Sequence, residues 1–174
     1  MDNRTVILVS GGFEGAWCWV RVAEPLRRKG WRVFDPSLTG MADRRHLMSP
    51  NISFQTHVED IVGIMESYEL TAVVLVGHSA GGSVISAVAD RLPERVAALV
   101  YLDAVLPEPG QSLLDFMGDS QGVPALFRAQ AAERGDGWTT PAGQPFDAAA
   151  FGITDPDDQA WFNRRMTDHP LAAC

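Results

Sequence analysis

Five consecutive residues, Gly77-His78-Ser79-Ala80-Gly81, carry the first chemical signal in this sequence. They follow the continuously apolar run Ala72-Val73-Val74-Leu75-Val76 and lead into a stretch rich in Ala and Val that ends at Arg91. A G-x-S-x-G pattern means little alone, but between a buried strand and a helix it forms a sharp turn that lifts the serine hydroxyl above a sheet. Glycine on both sides leaves out Cβ atoms where the two elements fold tightly together. The pattern therefore predicts Ser79 as a nucleophile in a strained backbone conformation. The helix behind it aims unpaired N–H groups at the same point, so the backbone N–H of Ala80 can bind a developing oxyanion. The bland alternative is a Gly/Ser turn with no chemistry.

A second oxyanion donor is expected from the loop after the first strand. That loop is Ser10-Gly11-Gly12-Phe13-Glu14-Gly15-Ala16-Trp17-Cys18-Trp19, and its glycines let backbone N–H groups approach a substrate. Gly12 is the first choice for the donor and Phe13 the next, with Trp17 and Trp19 expected to pack beneath the loop.

These groups need a scaffold, and the apolar pattern supplies one. Val6–Val9, Trp31–Phe34, Ala72–Val76 and Val96–Leu102 read as strands, the third buried on both faces. Between them, Val20–Lys29 reads as a helix closed by Gly30, and Ser53 caps a helix on which Phe54, Val58, Ile61, Val62 and Met65 share one face. Strands alternating with helices predict an α/β fold with a mostly parallel sheet and flanking helices. After Asp103 the rhythm changes: Pro107, Pro109 and Gly110 give way to short amphipathic pieces at Leu113–Met117, Pro124–Glu133 and Asp157–Met166. We expect residues 1–104 to form core and 105–170 a helical lid without further sheet. Leu113, Phe116, Met117, Phe127, Trp138, Phe151, Trp161 and Phe162 could roof an apolar pocket, with Trp138 a candidate substrate contact.

The chain has 174 residues, 46% of them hydrophobic, and 22 Asp plus Glu against 14 Lys plus Arg. The net charge of -8 argues against nucleic acid or an anionic membrane as partner. Met1–Arg4 leads straight into a short apolar run, with no signal-peptide core and no stretch of membrane-spanning length. Its 2 cysteines, Cys18 and Cys174, have neither metal-ligand nor disulfide-framework spacing, which suggests a reducing, cytoplasmic compartment.

From Val6 to about Pro109 the sequence resembles the α/β-hydrolase superfamily, specifically its small-esterase branch of plant methylesterases and hydroxynitrile lyases. That branch has H-G-x-x-x-G-x-W-x-W after its first strand, matched by Ser10–Trp19 except that Ser10 replaces the histidine. Tyr101-Leu102-Asp103-Ala104 and Pro107 resemble the branch's exit from its fourth strand. The resemblance implies Ser79 as nucleophile, Gly12 and Ala80 as backbone oxyanion donors, and an α/β-hydrolase fold. It also implies that this chain looks like an N-terminal portion apparently lacking the last two strands, with a C-terminal segment elsewhere, as a separate polypeptide for example. The superfamily's triad runs Ser, acid, His. His46 and His57 precede Ser79, and His78 beside it should point away. His169 follows Ser79 but reads as a solvated residue at the end of the lid. Asp103, ending the strand beside the nucleophile strand, is a candidate acid, against a structural hydrogen-bonding role. The function implied is a serine hydrolase acting on a small hydrophobic or aromatic carboxylic ester through an acyl-enzyme, with no metal and no organic cofactor. A carbamate esterase of the benzimidazole-carbamate type, a hydroxynitrile lyase and a non-catalytic ligand-binding scaffold are the alternatives.

Overall fold

The computed structural model describes residues 4–118 and 122–174. Four parallel strands form the main sheet in the order β2-β1-β3-β4: β1 Thr5–Val9, β2 Arg32–Phe34, β3 Val73–Ser79 and β4 Val96–Ala104. β1 is buried along its whole length, as an all-apolar central strand requires. Its alternate residues face opposite layers, because successive side chains on a strand point to opposite faces. Ile7 and Val9 join Leu75 in a core with α2 (Phe54–Ser67) and α3 (Gly81–Arg91), through Ile61, Val62, Ile85 and Val88. Val6 and Leu8 face the other way, onto Trp19 and Ala23 beside α1 (Val20–Arg28).

Local signals set the helix boundaries. Ser53 and Thr56 form a reciprocal capping box that starts α2, the Ser53 N–H donating to Thr56 Oγ1 at 3.1 Å. β3 runs on through the glycine of the turn to Ser79, and α3 begins at Gly81. The short α4 (Leu113–Met117) is capped by Ser112, and α6 (Pro156–Asn163) by Asp155, which accepts the N–H groups of Asp157 and Asp158.

The segment after β4 departs from the sequence reading in one respect. Besides α4, α5 (Val123–Arg134) and α6, it holds an antiparallel pair, β5 Thr139–Thr140 against β6 His169–Pro170. Two-residue strands carry too little periodicity to be read from sequence. Leu114 and Phe127 from this segment pack with Phe146 onto Phe13 of the loop after β1. β4 is an edge of the sheet, and near it Val100, Leu102 and Leu106 are 43%, 50% and 57% exposed. Among the described residues no helix is long and apolar enough to cross a membrane.

Candidate active site

Ser79 closes β3 with φ at +49°, a left-handed conformation that a serine adopts only under constraint. The constraint is visible in the glycines around it. A Cβ on Gly77 would stand 2.6 Å from the Gly81 carbonyl oxygen, and one on Gly81 would stand 2.6 Å from the Val9 carbonyl oxygen. A Cβ on Gly11 would lie 2.9 Å from that of Ser79, so the loop after β1 runs directly against the nucleophile turn. Ala80 precedes the first turn of α3, where N–H groups have no partner within the helix. No turn or loop hydrogen bond among the described residues uses the N–H of Gly12 or of Ala80. The structure thus brings Ser79, Ala80 and Gly12 together at the carboxyl ends of β1 and β3, where open α/β sheets bind ligands.

Phe13 is buried with φ at +65°, its ring stacked on Phe146 at 5.3 Å between centroids. Its carbonyl accepts the N–H of Thr167 at 3.0 Å. Glu14 was not singled out by the sequence reading, although it is the one charged residue from Ser10 to Trp19. It is 7% exposed, and Oε2 accepts the Gly11 N–H at 3.1 Å and meets His78 Nδ1 at 3.1 Å. This hydrogen bond is the main reason the His78 pKa rises above its ordinary value, with burial opposing it. His78 therefore turns to Glu14, which ties the loop after β1 to β3. Burial, and then the Glu14 charge, push the Cys18 thiol pKa up, which leaves Cys18 inert beside this pair. Trp17 and Trp19 pack as expected, Trp17 edge-on to Trp161 and Phe162 and Trp19 against Val6 and Leu8.

A cavity of about 320 Å³ opens over Ser79, Ala80, Gly12 and Phe13, walled by the side chains of Leu113, Met117, Phe127 and Phe151 among others. Trp138 is not part of this wall. It is half-buried, and its carbonyl accepts the Leu171 N–H just after β6. Phe116 is 46% exposed and also stands apart, and Trp161 and Phe162 pack on Trp17 instead. A second cavity of about 260 Å³ reaches Ser79 from the other side, past Glu14, His78 and Asp103. Asp103 is exposed there with φ at +44°, and no hydrogen bond among the described residues joins it to an imidazole.

The expectation for His169 needs correction. It is 4% exposed, lines the larger cavity with Ser79, and lies with its ring centroid 5.7 Å from that of Phe13. Pairing of β6 with β5 draws it inward, a placement that helical periodicity could not reveal. Burial, then the neighbouring His57, push its pKa down to about 3, so its imidazole is neutral. His57 is also buried, with Nε2 3.1 Å from the Thr39 carbonyl oxygen, while His46 is exposed. No hydrogen bond among the described residues links Ser79 Oγ to any of these rings.

Comparison with known proteins gives this geometry a lineage. A carbendazim hydrolyzing esterase from Nocardioides sp. (strain SG-4G) is 39% identical over 172 residues, covering 95% of this chain and 69% of that protein. A pyrethroid hydrolase from Sphingobium wenxiniae is 36% identical over 144 residues, 79% of this chain and 50% of the hydrolase, so the chain spans about half of that relative. An extracellular alpha/beta-hydrolase from a Paenibacillus species superposes with a TM-score of 0.83 at 24% identity, over 98% of this chain and 68% of that one, a likeness of fold. The profile of the alpha/beta hydrolase fold matches residues 4–162, through the loop after β1, the serine turn and the segment beyond β4. By that match and by the carbendazim hydrolyzing esterase, the chain belongs to the alpha/beta hydrolase fold family.

Proposed function

We propose that this chain carries the nucleophile and oxyanion hole of a serine hydrolase acting on a small hydrophobic or aromatic ester. Ser79 Oγ attacks the carbonyl carbon, its proton passes to a general base, and the N–H groups of Gly12 and Ala80 hold the tetrahedral oxyanion. Collapse expels the alcohol, protonated by the same base, and leaves an acyl group on Ser79 that water removes. The reading assigns the base to none of the residues described, and Asp103 is carried in it as the candidate acid. The observation that carries the proposal is Ser79 at φ +49°, between two loops and under an apolar cavity. Residues 1–104 act as core and 105–170 as lid in this reading, and two free cysteines fit a cytoplasmic setting. The carbendazim hydrolyzing esterase supports a carbamate as a second substrate class.

The test is labelling of the full-length protein with a fluorophosphonate, followed by mapping of the modified residue. Label on Ser79 is expected, and Ser79→Ala should lower hydrolysis of p-nitrophenyl esters by on the order of 10⁴-fold. A parent protein that resists the label and turns nothing over, while still binding such esters, would be a ligand-binding scaffold instead.

A further inference from the structure

Phe13 holds a costly backbone conformation, and its surroundings must keep it there. Its φ of +65° lies in the left-handed region, which a bulky side chain takes only under constraint. Rotation about its N–Cα bond turns the planar Gly12–Phe13 peptide, so the direction of the neighbouring Gly12 N–H depends on that angle. The stack with Phe127 and Phe146 grips the ring, and a hydrogen bond grips the backbone: the Phe13 carbonyl accepts the Thr167 N–H at 3.0 Å. Thr167 is itself fixed by its side chain. Its Oγ1 accepts the N–H of Ala42 at 3.0 Å, a partner 125 residues away in sequence. Ala42 is buried, and a buried N–H left unpaired is costly. Ala42 also touches the other end of the loop after β1: a Cβ on Gly15 would overlap that of Ala42, and the Ala16 N–H donates to Ser37 Oγ at 2.9 Å. Beyond Thr167, Asp168 Oδ1 accepts the Ala142 N–H at 2.9 Å, and His169 enters β6. Thr167 therefore sits on a fastened segment and closes a ring of contacts through Phe13, Gly15 and Ala42.

We propose that Thr167 is a positioning residue for the loop that carries Gly12: its hydroxyl, anchored by Ala42, aims its own N–H at Phe13 and so keeps the Gly12 N–H in line. This rests on the reading of Ser79 and Gly12 as the reacting centre. Thr167 lines neither cavity over Ser79. Losing its hydroxyl should therefore spare substrate binding and act on the transition state, where the oxyanion forms and a misdirected donor counts.

The test compares two full-length variants, Thr167→Val, which keeps the branched shape and loses the acceptor, and Thr167→Ser, which keeps the acceptor. On p-nitrophenyl acetate, Thr167→Val should lower kcat about 10-fold with KM within roughly twofold, and Thr167→Ser should keep kcat within roughly threefold of the parent. An unchanged kcat in Thr167→Val overturns the proposal. So does a loss of equal size in both variants, which marks the side chain as packing only. Hydrogen exchange on the parent protein needs no variant and decides the matter even if Thr167→Val does not fold. The Ala42 and Thr167 amides should exchange on the order of 100-fold slower than in an unstructured peptide, and exchange of either at the unstructured rate overturns the proposal. Fluorophosphonate labelling of Ser79 in the parent reports separately on the nucleophile, so the failure of either idea is recognised on its own.

Discussion

Glu14 bridges two elements beside Ser79. Its carboxylate accepts from Gly11 and faces His78, so one group fixes the loop that carries Gly12 and the strand that carries Ser79. A glutamine there keeps an oxygen for the Gly11 N–H and loses the charge that His78 pairs with. Hydrogen bonds to a charged group contribute about 1.5–3 kcal/mol, and part of that holds the loop at Gly12 against β3. Glu14→Gln should lower kcat on the order of 10-fold with KM within twofold, and the His78 titration followed by NMR should move to lower pH. An unchanged kcat alongside the shifted titration would show that the pair only shapes the surface.

Among the elements, the turn from β3 to α3 depends most on single atoms. Gly77→Ala puts a methyl 2.6 Å from the Gly81 carbonyl oxygen, a backbone atom that cannot rotate away. Strand and helix must separate, so we expect a loss of about 1–3 kcal/mol in urea unfolding and slower fluorophosphonate labelling of Ser79. Equal stability and equal labelling would refute this tight packing. The same turn shows why much of the fold was legible in the sequence. β3 is an unbroken apolar run and α2 has five residues on one face with a capping serine, so periodicity and capping agree at each boundary. The turn at Ser79 and the close approach of the loop that carries Gly12 were legible because both need particular residue types. His169 and Trp138 were misjudged for the opposite reason. Their places are set by the two-residue β5–β6 pair, a contact between positions about thirty apart that leaves no local pattern. Glu14 was missed because a buried carboxylate looks like any loop acid until its partner 64 residues away is known.

For the whole molecule, two buried histidines and the β4 edge of the sheet bear on the behaviour in solution. An unfolded histidine titrates near pH 6.5, whereas His169 in the fold titrates at about 3 and His57 is lowered in the same direction. Below pH 6.5 the unfolded chain therefore binds more protons than the native one. Stability from His169 is complete above that pH and falls as pH drops toward 3, by up to about 1.4 kcal/mol per pH unit, and His57 acts in the same direction. His78 works the other way, since its raised pKa makes its contribution fade as pH rises through the folded value. Urea midpoints at pH 7, 6 and 5 should fall steadily, and His169→Leu should flatten that slope; a parallel decline would assign the acid sensitivity to other groups. At the edge, β4 offers unpaired backbone beside exposed Val100, Leu102 and Leu106. A 174-residue chain expressed alone should sediment as a concentration-dependent oligomer, and a Leu102→Lys variant should shift it toward monomer. A monodisperse monomer across the concentration range would show that the edge is protected in some other way.

Phe13 belongs to two structures at once, the loop that carries Gly12 and the aromatic stack formed with Phe127 and Phe146. Thr167 fastens the same residue from the far side through its backbone. A shift of that stack therefore moves the backbone beside Gly12 with it, and the arrangement acts as an interlock. Under the role proposed for Gly12, whatever seats the aromatic stack also seats the donor, so alignment and enclosure are coupled through one residue.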